Sequence, residues 1–339
     1  MKYGGHSFVL FREGRLFMKQ NSKKGIIMRC EYCGYEGNDF EEDFCHQKGA
    51  WCPACEGFQY YLGKENHAAF HVLLERKNSG VEGGYKKTSL KKRISPLRYP
   101  GGKSKAIDMI YPFLSERNVF VEPFCGGASV GLSMLDAGRI NKLVLNDMDQ
   151  DLYTFWKVVC GGQCHELIER IRNYQPTRED YFKYREELKN PYLQDVLRAF
   201  YFFVINRCSF SGIKMSNPKA DVMDRWNAEA LTKRICHIHE MADAISVFHQ
   251  DALTIIEEYY WGSDVCLFID PPYVKKGDML YPEKFARHKE LSWLLTDLIK
   301  EVPGCASIVL TYDDEEMIRD LYDFPNTEIH FVNRRYSCA

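Results

Sequence analysis

No apolar stretch in these 339 residues approaches the roughly 20 that a bilayer-crossing helix needs, so hydropathy offers no membrane span. The opening residues, Met1-Lys2-Tyr3-Gly4-Gly5-His6, have no signal-peptide core. An excess of one charge sign is missing too. With 45 basic against 47 acidic residues there is no global field to draw in a polyanion, so any nucleic-acid surface must be a local patch. The densest basic run, Lys86-Lys87-Thr88-Ser89-Leu90-Lys91-Lys92-Arg93, is the clearest such patch, although a run of this kind is more often just a solvated linker. Thirteen cysteines, an odd number without an export signal, fit a reducing cytoplasm where thiols stay free or bind metal. The length allows one large α/β domain plus a small module.

What is present is concentrated at a few points. The tetrapeptide Asp270-Pro271-Pro272-Tyr273 follows the apolar run Val265-Cys266-Leu267-Phe268-Ile269. A buried strand that ends this way sets a carboxylate and an aromatic ring at the carboxyl rim of a sheet, where open α/β folds bind ligands. The two prolines fix φ and remove two N–H donors, leaving the Pro271 carbonyl beside the Asp270 carboxylate. Two acceptors next to a stackable ring suit a planar base with an exposed amino group. Gripping both amino hydrogens would aim the nitrogen lone pair at the sulfonium methyl of S-adenosylmethionine, and stacking on Tyr273 would contribute on the order of 1–3 kcal/mol. A Pro-Pro turn whose Asp merely caps a loop is the plainer alternative.

Two C-x-x-C turns, Cys30-Glu31-Tyr32-Cys33 and Cys52-Pro53-Ala54-Cys55, are separated by eighteen residues, inside the spacing window of four-thiolate zinc sites. Cys30, Cys33, Cys52 and Cys55 are therefore the expected ligands of a closed, structural Zn2+ site in a ribbon-like module. Redox pairing and coincidence are the alternatives. Ahead of it, 8–17 reads as a hairpin turning near Gly14. The expected division is a hairpin and ribbon module over 1–76, a basic, Gly-rich linker over 77–95, and the main domain over 96–339.

From Pro96 onward apolar strands and helices alternate. Val119-Phe120-Val121-Glu122-Pro123-Phe124-Cys125-Gly126-Gly127 is a strand leading into a glycine turn and helix, a weak ligand-binding signal alone. Lys142-Leu143-Val144-Leu145-Asn146-Asp147 is a strand ending in an acid, which in doubly wound nucleotide folds commonly holds ribose hydroxyls; a helix N-cap is the alternative.

Leu97-Arg98-Tyr99-Pro100-Gly101-Gly102-Lys103, the Glu122-Pro123-Phe124 turn, Asn146-Asp147 and Asp270-Pro271-Pro272-Tyr273, in that order, resemble the DNA adenine methylase (Dam) family. The order matches the alpha group of amino-methyltransferases, and the resemblance covers nearly three quarters of the chain. It implies a doubly wound, class I (Rossmann-like) methyltransferase sheet with a helical and hairpin recognition insert at about 160–243. The implied activity is transfer of methyl from S-adenosylmethionine to N6 of a flipped adenine in double-stranded DNA, in a bacterial or phage-encoded cytoplasmic protein. Tyr99, Lys103, Glu122, Phe124, Gly126, Asp147, Asp251 and Asp270 are the implied cofactor contacts, with Asp270, Pro271 and Tyr273 at the target base. Thr311-Tyr312-Asp313-Asp314 resembles the family as well.

Within the insert, 192–205 reads as a buried helix and Thr177 as a helix cap before 181–188. Asn206-Arg207 resembles the family's segment introducing a DNA-facing hairpin. Arg207, Lys214, Asn217, Lys219 and Arg225 are the expected DNA contacts, mostly to phosphates. The sequence over 213–226 does not reproduce the pattern of GATC readers. The chain stops at Ala339, where family members usually continue into a last strand, which implies an unpaired sheet edge open to a protein partner. Cys125 reads as a small loop residue and not a nucleophile, and His288 as a solvated loop histidine. The rival readings are an amino-methyltransferase acting on cytosine or RNA, and a non-catalytic subunit binding DNA or a partner through the ribbon.

Overall fold

The computed structural model describes six short strands before residue 61 and then residues 89–332, apart from 92, 100–101, 210–216, 219–221, 275–286, 302–304 and 325–326. The main sheet has the order β12-β1-β11-β10-β7-β8-β9. Five of its strands run parallel: β7 (Val119–Glu122), β8 (Lys142–Asn146), β9 (Ile245–Phe248), β10 (Val265–Ile269) and β11 (Ser307–Asp313). All five residues of β10 are buried, as expected of a parallel strand covered on both faces.

The two-residue period of a strand sends alternate side chains to opposite layers. Cys266 and Phe268 join the core formed with α1 (Ser129–Asp136), α2 (Gln150–Cys160), α3 (Cys164–Arg172), α5 (Asp195–Cys208) and α6 (Ala228–His239). Val265, Leu267 and Ile269 join the other core, with α7 (Ala252–Tyr260), α8 (His288–Glu301) and α9 (Glu316–Tyr322). This is the doubly wound sheet that the strand–helix alternation predicts.

The insert is continuous with the first core. Phe155 of α2 stacks on Phe203 of α5 at 5.4 Å, and Arg198 donates to Asp151 at 2.6 Å in a buried ion pair. The expected buried helix is α5, shifted to Asp195–Cys208. The expected cap holds as well: Thr177 Oγ1 accepts from the Asp180 amide at 3.0 Å, opening α4 (Arg178–Glu187).

Strand order reverses between β10 and β7, since β8 and β9 lie on one side of β7 and β10 and β11 on the other. Such a switch point opens a crevice at the carboxyl rim. Glu122 ends β7 there and Asp270 follows β10 there. The register that sets Ile269 against Leu310 also brings Asp270 next to Thr311.

The amino-terminal segment departs from expectation. β1 (His6–Phe11) is not one arm of a separate hairpin; it runs antiparallel between β11 and β12 (Thr327–Val332), with Val9 opposite both Leu310 and Ile329. The position expected to be vacant for lack of a last strand is thus filled from the other end of the chain. This segment belongs to the main sheet and not to a separate front module. Two smaller sheets follow, β2 (Met28–Arg29) with β3 (Glu36–Gly37), and β4 (Glu41–Asp43), β5 (Gly49–Trp51) and β6 (Phe58–Tyr60).

An interior strand with ladders on both sides does not tolerate proline, which removes a donor. Val9→Pro is expected to lower stability by on the order of 2 kcal/mol in urea denaturation. An unchanged midpoint would mean that β1 does not hold this sheet together.

Candidate active site

The crevice is a cleft of about 230 Å³ running from the glycine turn after β7 to the turn after β10. Tyr99, Lys103, Glu122, Phe124, Gly126, Asp147, Asp251 and Asp270 all line it, so every side chain proposed for the cofactor from sequence converges on one cavity. Pro272 lines it too, whereas Tyr273 is buried beside it at 7 % exposure. The acceptor corner and the glycine loop are therefore joined.

At the corner, Lys103 Nζ lies 2.5 Å from both Asp270 oxygens and 3.1 Å from the Tyr273 hydroxyl. Lys103 is only 4 % exposed, and a buried ammonium needs such a counter-charge. Thr311 Oγ1 donates to Asp270 Oδ1 at 2.5 Å from the neighbouring strand. The Val274 amide donates to Asp313 Oδ1 at 3.2 Å, tying down the far side of the Pro-Pro turn. Asp270 is thus held as an acceptor at the rim and does not cap a loop.

At the other end, Gly126 has φ +47°, and a Cβ there would meet the Tyr99 ring at 2.8 Å. Only glycine combines that backbone with a ring lying directly on it. Asp147 Oδ2 accepts from the Gly126 amide at 3.0 Å and Oδ1 from the Asp149 amide at 3.0 Å. The N-cap of α2 is Asp149 and not Asp147, which removes the capping alternative for Asp147. Glu122 Oε1 accepts from the Gly131 amide at 2.7 Å.

Burial pushes the Glu122 carboxyl up to about 8 and the Asp147 carboxyl up to about 7, against the opposing pull of these amides. Burial likewise raises the Cys125 thiol well above its ordinary value, so it is no nucleophile. A buried carboxyl and a half-buried one facing a cleft, beside a glycine turn, fit a ligand that supplies ribose hydroxyls and an ammonium. S-adenosylmethionine carries both, and the residues present fit it.

A sequence profile of the D12 class N6 adenine-specific DNA methyltransferases matches residues 99–338, a span that includes every residue of the cleft. The chain belongs to this family. It is 27% identical over 259 residues to the DNA N-6-adenine-methyltransferase of Escherichia phage P1, covering 72% of this chain and 33% of that one. To the type II methyltransferase M.MjaIII of Methanocaldococcus jannaschii it is 23% identical over 207 residues, 52% of this chain and 68% of the relative. To the modification methylase StsI of Streptococcus sanguinis it is 25% identical over 202 residues, 55% of this chain and 30% of the relative. The chain therefore spans about a third of the phage and streptococcal proteins it matches.

Some residues fall elsewhere than expected. Arg207 directs Nη1 to the Pro96 carbonyl at 3.3 Å and Nη2 to the Arg225 carbonyl at 2.8 Å, clamping the loop before Tyr99 onto the insert. His288 is no solvated loop residue: it is buried at the start of α8, and its Nδ1 lies 2.8 Å from the Tyr312 hydroxyl. Lys214 and Lys219 lie outside the described residues, as do Cys30, Cys33, Cys52 and Cys55. Asn217 is exposed, next to an isolated antiparallel bridge from Ser209 to Pro218 at the base of the expected hairpin.

Sequence reading gave Asn146 no role, yet it is wholly buried and ties three rim segments together. Its amide donates to the Pro123 and Gln250 carbonyls at 2.9 and 3.0 Å, and its Oδ1 accepts from the Gln250 amide at 2.9 Å. Its one signal was an amide side chain ending a buried strand. Arg287, which lines the cleft, left no signal at all.

Both raised carboxyls bind protons more tightly in the folded chain than in the unfolded one. Their contribution to stability is full below about pH 4, where both states are protonated, and is lost as pH rises through about 7 to 8. The ligand-free chain should be easier to denature at pH 8.5 than at pH 5.5, and Glu122→Gln should shrink that difference. A stability profile that rises over this range would contradict the assignment.

Proposed function

We propose that the chain transfers a methyl group from S-adenosylmethionine to the N6 amino group of an adenine flipped out of double-stranded DNA. The carrying observation is the continuous cleft linking the glycine turn to a clamped Asp270 acceptor. When bound, the cofactor supplies an electrophilic methyl group on a sulfonium. Asp147 and Glu122 take the ribose and the ammonium ends, Asp251 the adenine amino group, and Tyr99 and Phe124 cover the ligand. On the target side, Asp270 and the Pro271 carbonyl accept the two amino hydrogens, drawing the nitrogen toward tetrahedral geometry, and Tyr273 holds the base. Lys103 already presents N–H donors to both Asp270 oxygens, the position that an amino group would take. The family description favours adenine over cytosine as the acceptor.

The DNA face of this reading lies on the insert. Burial, and then the charges of Arg98, Arg234 and Arg225, lower the Arg207 guanidinium to about 10, so like charges converge beside the loop leading to Tyr99. A convergence of guanidinium groups suits a polyanion backbone. Arg207 organises the loop, Arg225 has a buried Nη1 with no hydrogen-bond partner among the described residues, and Asn217, Lys214 and Lys219 complete the proposed contacts. Asp270→Ala should abolish transfer to N6 while leaving duplex binding within about twofold; Arg225→Ala should weaken duplex binding and lower its salt slope by about one. Adenine methylation persisting in Asp270→Ala would sink the mechanism.

The ribbon reading is supported by backbone pairing around the C-x-x-C turns. Cys30 and Cys33 fall between the paired strands β2 and β3, and Cys52 and Cys55 between the paired strands β5 and β6. Among the described residues no group of His, Cys, Asp or Glu is arranged to hold a metal, and these cysteines are not among them. We infer one structural Zn2+ per chain, with metal binding supplying much of this module's folding energy. Metal analysis of the full chain should return about one equivalent of zinc, and Cys30→Ser should remove it. A metal-free, folded wild-type chain would refute the site. No helix among the described residues is long and apolar enough to cross a membrane. A cytoplasmic setting in DNA modification is supported by relatives from a phage, an archaeon and a bacterium.

A further inference from the structure

In the cleft Asp251 is paired with Arg287, a residue to which neither the motif order nor the family description gives a role. Asp251 caps α7 with Oδ1, which accepts from the Leu253 amide at 2.8 Å. Its other oxygen, Oδ2, accepts from Nη1 of Arg287, and Arg287 Nε donates to Glu290 Oε2 at 2.5 Å. Arg287 and Asp251 line the cleft together, and Arg287 Nη2 meets no acceptor among the described residues. Glu290 and Asp251 grip the guanidinium by two of its three nitrogens, which leaves the fork oriented and one nitrogen available.

As a plain surface ion pair this arrangement would contribute little, since both side chains are more than 40 % exposed. Its position in the cleft gives it another use. A carboxylate has lone pairs beyond those that Leu253 and Arg287 occupy, so Asp251 can still accept from a ligand. An acceptor beside an oriented donor matches the edge of an adenine ring, where the amino group is a donor and the adjacent ring nitrogen an acceptor. A carboxylate alone would select any exocyclic amine; the couple selects an amine with an acceptor beside it.

We propose that Arg287 is a specificity-determining residue for the cofactor, donating to the ring nitrogen that flanks the adenine amino group, N1 or N7, while Asp251 accepts from that amino group. This rests on the cofactor reading of the cleft given above. The same contact links the start of α8 to the start of α7 across the cofactor, so that adenine recognition involves elements that follow both β9 and β10.

The test is calorimetric binding of S-adenosylhomocysteine and its 1-deaza and 7-deaza analogues to the full chain and to Arg287→Ala. One deaza analogue should bind wild type roughly tenfold more weakly than the parent compound, the loss of one charge-assisted hydrogen bond. Arg287→Ala should bind the parent that much more weakly and no longer distinguish that analogue from it. A side chain that only supports the fold would weaken all three ligands alike and leave the discrimination intact, which overturns the proposal. So does a wild-type chain indifferent to both deaza substitutions. A wild-type chain that binds none of the three overturns this inference together with the cofactor reading beneath it.

Discussion

A carboxylate set between a buried ammonium and a buried hydroxyl is the constraint around which the rest of the molecule is arranged. Asp270 is the counter-charge of Lys103, and Lys103 has almost no access to water. Removing either partner of such a pair leaves an uncompensated buried charge, a loss of about 3–5 kcal/mol. The loop of Tyr99 and Lys103 is therefore drawn to the end of β10, and Tyr99 in turn lies over the glycine turn after β7. One ion pair thus brings the acceptor corner and the glycine turn into a common cleft. Thr311 contributes from the next strand because the parallel register places it beside Asp270.

The two ends of the cleft are built on opposite electrostatic principles. The Asp270 corner is charged and paired within the protein. The Glu122 and Asp147 end is held by backbone amides, with burial favouring protonation. An end of this kind is poised for a ligand that brings hydroxyl donors or a positive charge, because either would stabilise the ionised carboxylates that burial disfavours. Asn146, at the end of β8, keeps that end in shape by satisfying backbone groups that follow the two neighbouring strands, a task no charged residue could perform there without a partner of its own.

The family match spans 99–338, yet the sheet takes one of its interior strands from residues 6–11. β1 lies against β11, the strand that carries Thr311 and Asp313, so a segment outside the matched span buttresses the strand that holds the Asp270 turn. The proposed front module consequently falls in sequence between a strand of the sheet and the rest of its domain. Its amino-terminal connection leaves the end of β1 that pairs with the start of β12, on the side of the sheet away from the cleft. A hairpin over 8–17 follows from the local pattern alone, in which Gly14 interrupts two apolar runs. Pairing partners about 300 residues away in sequence are invisible to a local pattern.

Where the sequence was legible, the physical cause was local. A strand buried on both faces must be apolar at every position, so β10 was readable, and the carboxylate after it necessarily stood at the rim. The same holds for the glycine turn, the acid after β8, and the helix of the insert that is apolar nearly all round. The roles of Arg207, His288 and Arg287 had no local signature, and that of Asn146 had only an amide side chain at the end of a buried strand. Arginine and histidine are equally at home in solvent, and only the packing of distant elements decides whether such a side chain clamps a loop, sits beside a tyrosine hydroxyl or faces a ligand. The chain's residues alone thus determined its chemistry and the order of its parts, because those follow from side-chain type and periodicity. Tertiary structure alone decided which charges are buried together and which strand completes the sheet, because both depend on contacts between segments far apart in the chain.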